Sequence, residues 1–252
     1  MRGLVALALL GVLPVAPHAR TFAEVKARGV VSVCANPDAL PYAHNGSDQP
    51  GFQIEIARAI AEVLQVNLQV DWIVARMRAG LVDCDMLLDT IVDPELSRGP
   101  VKLTRAYQRS GVALALRRGN DGVARFADLK PGTRVGVMVN SLASKLLNER
   151  GLATVPYAFE SDMLADLASG TLDACAVSPA SIAYYIHLHP DAGLRYTHAY
   201  DDEAQLAWTV AIGLRRTDDA LVDAVNAALE RMSADGTLAR IYARYGVAYR
   251  KP

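Results

Sequence analysis

"AIGLRRTDDALVDAVNAALERMSADGTLARIYARYG", residues Ala211 to Gly246, carries the sharpest local signals in the chain. It opens inside an apolar run, "AWTVAIGL", that reads as a buried strand. A basic, polar turn follows, and Thr217 is placed to cap a helix from Asp218 to Met232. Leu221, Val225, Ala228, Leu229 and Met232 recur at helical spacing, which gives that helix one apolar face. Gly236 lies just past its end, where a left-handed residue stops a helix. Thr237 is placed to cap a last short helix burying Leu238, Ile241 and Tyr242. A strand feeding a long amphipathic helix is part of an α/β layer, so the remaining chain should hold its partners.

It does. Val30 to Cys34 reads as a strand, and Ile56, Ile60, Val63 and Leu64 mark a helix from Phe52 to Leu64. Val66, Leu68, Val70 and Trp72 alternate with polar residues as a half-buried strand does, a short helical piece ends at Gly80, and "CDMLLD", Cys84 to Asp89, is a buried strand. Val112 to Leu116 makes a further strand before "RRGNDG" breaks the pattern. A second unit begins at "LKPGTRVGVMVNS", with a helix from Leu142 to Glu149, a strand from Val155 to Phe159, and a helix capped by Ser161 running to Gly170. "LDACAV" is again a buried strand, and Ser178 followed by Pro179 opens another helix. The β–α alternation predicts two α/β lobes, each a mostly parallel sheet flanked by helices, joined by two hinge strands near Val112–Leu116 and Ala204–Leu214. Residues 20–116 and 204–252 are expected to form the first lobe and 117–203 the second, inserted one.

The 252 residues are 52% hydrophobic and 21% charged, with 26 Lys and Arg against 27 Asp and Glu. A formal charge of -1 without a basic run disfavours a nucleic-acid partner. "MRGLVALALLGVLPVAPHAR" has the order of a secretory signal: Arg2, an apolar run from Gly3 to Leu13, then small residues, so residues 1–19 are expected to direct export to the periplasm. No Cys follows that run, which argues against a lipid anchor, and no later segment has the length of a membrane span. Cys34, Cys84 and Cys175 match no zinc spacing. They read as small buried hydrophobes, with Cys34–Cys84 the pair expected if a disulfide forms. His187 and His189 sit two apart at a helix end and diverge around its axis, so they read as solvated rather than as a metal pair. No phosphate loop, nucleophile elbow or haem sequence is present, and no cofactor is expected.

"VCANPDALPYA", Val33 to Ala43, turns a strand into proline-shaped polar chain. Loops at the carboxyl ends of parallel strands are where open α/β sheets hold ligands. The closing segment with Asp235, Gly236, Thr237, Ile241, Tyr242 and Tyr245, together with "PGFQIEIARAIAEVL", "DLKPGTRVGV" and "LASGTLDACAV", resembles the family-3 periplasmic solute-binding proteins over about Val30 to Val247. The resemblance implies the type II periplasmic binding protein fold, a cleft between lobes that closes on a ligand, and Tyr42 facing that ligand. The candidate cleft residues are Asn36, Tyr42, Thr90, Asp93, Arg98, Ser141 and Ser178.

Two departures stand out. Family members that bind amino acids hold the α-carboxylate with an Arg two residues after a Pro, but "DTIVDPELSRG" has Leu96 there, and Arg98 comes two positions later. They meet the α-ammonium group with an Asp where this chain has the uncharged Ser178. Losing two charge-assisted bonds at about 1.5–3 kcal/mol each removes about two to four orders of magnitude of affinity, so ordinary amino-acid binding is expected to be weak. "VCANPDALPYAHN", "AGLVDCDMLLD" and "LTRAYQRSGVALALRR" look like a narrower group, the solute-binding-like proteins associated with quinoprotein dehydrogenases, which includes the J protein of methanol oxidation. That likeness implies a non-enzymatic helper of a periplasmic PQQ-dependent methanol or alcohol dehydrogenase. The alternatives are delivery of a small polar solute to an ABC permease and, more remotely, an enzyme like the cyclohexadienyl dehydratases of the same fold.

Overall fold

The computed structural model describes residues 20–46, 48–74, 84–92 and 101–252. The short helical piece ending at Gly80, Asp93, Arg98 and the signal segment 1–19 lie outside them. Helix α1 (Phe22–Arg28) leads into β1 (Val30–Ala35), and a small hairpin of β2 (Asp38–Ala39) and β3 (Ala43–His44) precedes α2 (Phe52–Val63). Then come β4 (Asn67–Trp72), β5 (Met86–Ile91), β6 (Val101–Leu103) and β7 (Gln108–Gly111). Past Val112 the chain enters a second sheet with β8 (Ala113–Arg117), β9 (Arg134–Met138), α3 (Leu142–Glu149), β10 (Ala153–Tyr157), α4 (Glu160–Ser169), β11 (Ala174–Val177), α5 (Pro179–Leu188) and β12 (Leu194–Thr197). It returns through β13 (Ala207–Arg215), α6 (Asp219–Ala234) and α7 (Thr237–Ala243).

The first sheet runs β4-β1-β5-β13-β6, with β7 also paired to β13, and the second runs β10-β9-β11-β8-β12. In the first, β1 lies parallel to β4 and β5, while β13 is antiparallel to β5, β6 and β7. In the second, β9 is parallel to β10 and β11, while β8 is antiparallel to β11 and β12. This is the two-lobed α/β architecture of periplasmic binding proteins. The lobes join at Val112, between β7 and β8, and again at the approach to β13. A division after Leu116 would cut β8 from its partners β11 and β12, so the first lobe ends before β8.

β8 shows why a short apolar run can sit at the centre of a sheet. Leu114 and Leu116 pack with Phe126, Val137 and Leu147 on one face, while Ala113 and Ala115 pack with Met163, Leu164 and Ile182 on the other. In the first lobe, Ile56 and Ile60 of α2 meet Leu221, Val225 and Met232 of α6 and Ile241 and Tyr242 of α7 in one core. The Phe52 and Tyr242 rings lie 4.5 Å apart, and the Tyr242 hydroxyl donates to Gln108 at 2.7 Å. The "CD" pair has a structural role as well. Cys34 and Cys84 form a disulfide joining β1 to the approach of β5, while Cys175 is free and buried. Asp85, 1% exposed, accepts from the Ser32 amide and hydroxyl at 2.8 and 3.0 Å and pairs with Arg20 and Arg28.

Three helix starts differ from the sequence expectation. Asp218, not Thr217, caps α6 by accepting from the Leu221 amide at 3.0 Å, and Thr217 instead donates to the Arg20 carbonyl. Gly236, in the left-handed conformation, precedes α7, and the Thr237 amide is taken by Asp235. Helix α4 starts at Glu160 without a side-chain cap, so Ser161 lies inside its first turn.

Candidate functional site

The loop after β1 is held from below by the start of α2. The Phe52 amide donates to the Pro41 carbonyl and the Gln53 amide to the Tyr42 carbonyl, each at 2.9 Å. These are amides that a helix N-terminus leaves without an internal partner. Gly51, at φ 90°, lets the chains approach so closely, because a Cβ there would lie 2.4 Å from the Tyr42 carbonyl oxygen. Its amide donates to the Tyr245 hydroxyl, which donates in turn to Glu55 at 2.6 Å, and Arg244 pairs with Glu55. The C-terminal helix therefore braces the loop that carries Tyr42.

Opposite stand the carboxyl ends of β10 and β11. Ser178 caps α5, and its hydroxyl donates to Glu160 at 2.7 Å while its amide donates to the same carboxylate at 2.8 Å. Glu160 begins α4, so one carboxylate sits at the amino ends of two helices, where negative charge is favoured. The Tyr42 hydroxyl faces Ser178 from the other lobe. Burial, then the negative charges of Glu160 and Asp89, push the Tyr42 pKa well up, so it stays a neutral phenol. Tyr107, donating to the Leu88 carbonyl at 2.6 Å, is held protonated by burial and by Asp89.

A cavity of about 260 Å³ lies on the first lobe's side, lined by Asn36, Tyr42, Ile73, Val74, Leu87 and Asp89 among others. Exposed apolar side chains lie at strand carboxyl ends in both lobes: Val74 after β4 and Ile91 and Val92 at the end of β5, Val139 after β9 and Phe159 after β10. Helix α5 also crosses between lobes, since Tyr184 donates to Gln49 at 2.8 Å and packs into the first lobe's core.

The candidate residues divide accordingly. Tyr42 and Ser178 face each other. Asn36 lines the cavity while its carboxamide oxygen accepts from the Asp38 amide at 3.0 Å. Thr90 falls on the opposite face of β5 from Leu87 and Asp89, its hydroxyl donating to the Leu87 carbonyl. Ser141 caps α3 and lies outside the cavity lining. Asp93 and Arg98 fall outside the described residues. Glu160 and Asp89, neither of them among the residues expected from the sequence, bring negative charge near Tyr42, where Ser178 seemed to have removed it. Among the described residues no cluster of His, Cys, Asp and Glu is suited to a metal.

Two lobes, two crossings and a polar cleft at strand carboxyl ends define a binding protein of the periplasmic type. Residues 31–248 match the bacterial extracellular solute-binding proteins, family 3, and the chain belongs to that family. The L-cystine-binding protein TcyJ of Escherichia coli K12 is 28% identical over 250 residues, covering 92% of this chain and 91% of its own. The ABC transporter arginine-binding protein 1 of the same strain is 26% identical over 198 residues, covering 76% and 79%. The histidine-binding periplasmic protein of Salmonella typhimurium is 24% identical and covers 95% of both chains. Among solved structures, an ancestral cationic amino acid solute-binding protein superposes with a TM-score of 0.77 at 21% identity, covering 89% of this chain and 98% of that one. A second structure of that ancestor, described as a precursor of cyclohexadienyl dehydratase, gives a TM-score of 0.69 at 20% identity, a likeness of fold.

Proposed function

We propose that this chain is exported by its segment 1–19 and captures a small polar solute between its lobes for delivery to an ABC permease. The observation that carries the reading is the cavity of about 260 Å³ beside Tyr42, whose hydroxyl faces the Ser178–Glu160 hydrogen bond of the second lobe. Tyr42 belongs to the first lobe and the Ser178–Glu160 pair to the second, so lobe closure is what sets them facing each other. The relatives named above are binding proteins for cystine, arginine and histidine, which favours transport. The role beside a PQQ-dependent dehydrogenase rests on sequence likeness alone and draws no support from them. The test is small-angle scattering of the purified chain with and without pooled polar solutes. One pool should shrink the particle, and a scattering curve unchanged by every pool would refute the reading.

A further inference from the structure

We propose that helix α5 is a closing latch: it belongs to the second lobe, docks on the first, and holds part of the chain closed before any solute arrives. This goes beyond the solute-binding reading above, from which it takes only that the lobes open and close. The helix is apolar on two sides, and each side is buried in a different lobe. Ile182, Tyr185 and Ile186 pack with Met163, Leu164 and Leu167 in the second lobe's core. Ala180, Ala183 and Tyr184, spaced i, i+3, i+4 on the other face, are buried in the first lobe's core instead. Polar and steric detail fixes the same contact. The Tyr184 hydroxyl donates to the Gln49 side chain at 2.8 Å, and its ring lies 6.1 Å from that of Tyr245. One turn further on, a Cβ added at Gly246 would lie 2.5 Å from the His187 Cβ, so a side chain there would push the helix away. None of these groups lines the cavity beside Tyr42. Parting the lobes exposes the Ala180–Ala183–Tyr184 face to water and breaks the bond to Gln49, so docking favours closure. The latch is also tied to the cleft. Helix α5 begins at Ser178, which faces Tyr42, and Tyr245 braces the Tyr42 loop through the Gly51 amide. A solute that draws the lobes together meets a chain already partly docked, and its affinity is set in part outside the cavity.

The experiment compares the whole exported chain with two variants, all stripped of bound solute by unfolding in urea and refolding. Gln49→Ala removes the partner of the Tyr184 hydroxyl at an exposed residue, and Ala183→Glu puts a charge on the docking face. Without solute, small-angle scattering should give both variants a larger radius of gyration than the parent, Ala183→Glu the larger. Hydrogen exchange at the amides of Tyr245 to Val247, which the docked helix covers, should rise about threefold in Gln49→Ala and more than about tenfold in Ala183→Glu. If Ala183→Glu fails to fold, Gln49→Ala carries the test by itself. A folded Gln49→Ala chain with the radius and exchange rates of the parent overturns the latch and leaves the solute-binding reading intact. Solute pools that never shrink the parent, with both variants opening as expected, refute that reading and keep the latch.

Discussion

Replacing Asp85 by Ala should cost the first lobe much of its stability. The carboxylate is 1% exposed and accepts from the amide and hydroxyl of Ser32, itself 5% exposed, while Arg20 and Arg28 pair with it from the rim. Removing it leaves two buried Ser32 donors without an acceptor, at about 1–3 kcal/mol each. The arginine side chains remain 16% and 43% exposed and can turn to water, so they add little. The sum, about 2–6 kcal/mol, brackets the about 3–5 kcal/mol usually lost when one side of a buried ion pair is removed, and the narrower range is the expected cost here. Trp72 and Trp208 both lie in the first sheet, so urea unfolding followed by tryptophan fluorescence reads the affected lobe. With a slope of about 2 kcal/mol per molar urea, the midpoint should fall by about 1.5–2.5 M. A fall of less than about 0.5 M would show that the Asp85 cluster is not a structural centre of the lobe.

Tyr42→Phe removes a hydroxyl from the cavity lining, so titration should show solute affinity reduced about 3- to 10-fold, with an unfolding midpoint close to that of the parent chain. Unchanged affinity would place Tyr42 outside the closed cleft. The Cys34–Cys84 disulfide spans 50 residues, and a loop of that size corresponds to about 4 kcal/mol of lost chain entropy in the unfolded state. Denaturation in reductant should therefore show a clear drop in midpoint, and none would mean the reduced fold compensates fully. Burial, then the Arg250 guanidinium, hold the His198 imidazole below its ordinary value of 6.5. The unfolded chain then binds that proton more readily, so the stability His198 contributes is present above pH 6.5 and is lost as pH falls below it. His198→Gln should narrow the gap in unfolding midpoint between pH 7.5 and 5.5, and an unchanged gap would assign the acid sensitivity elsewhere.

Much of the fold was legible because its signals are periodic. Leu221, Val225, Ala228, Leu229 and Met232 share one helical face, and all five are buried on α6. The alternation of strands and helices likewise implied two α/β lobes, which are there, but the mostly parallel sheets expected in them are mixed, because β13 and β8, the strands next to the crossings, run antiparallel to their neighbours. What was not legible depends on backbone angles or on distant pairs. Thr217 and Asp218 are both good caps, and only the chain path past Arg20 decides that Thr217 turns to the Arg20 carbonyl and Asp218 to the helix. β8 reads as a strand, but nothing local says which sheet it joins, since its partners come more than fifty residues later. The Glu160–Ser178 pair joins two helix starts 18 residues apart, so Ser178 alone looked like a lost charge. Asp89 looks like any strand carboxylate until the cavity beside it is seen.

The proposed capture of one small solute between the lobes, beside Tyr42, Glu160 and Asp89, is open to direct test. Native mass spectrometry of the chain, equilibrated with a mixture of small polar solutes, provides it. The account predicts a single added mass, one molecule per chain, that disappears in a Glu160→Gln, Asp89→Asn double variant which remains folded. A bare chain mass in every mixture, or the same added mass retained in the double variant, would contradict it.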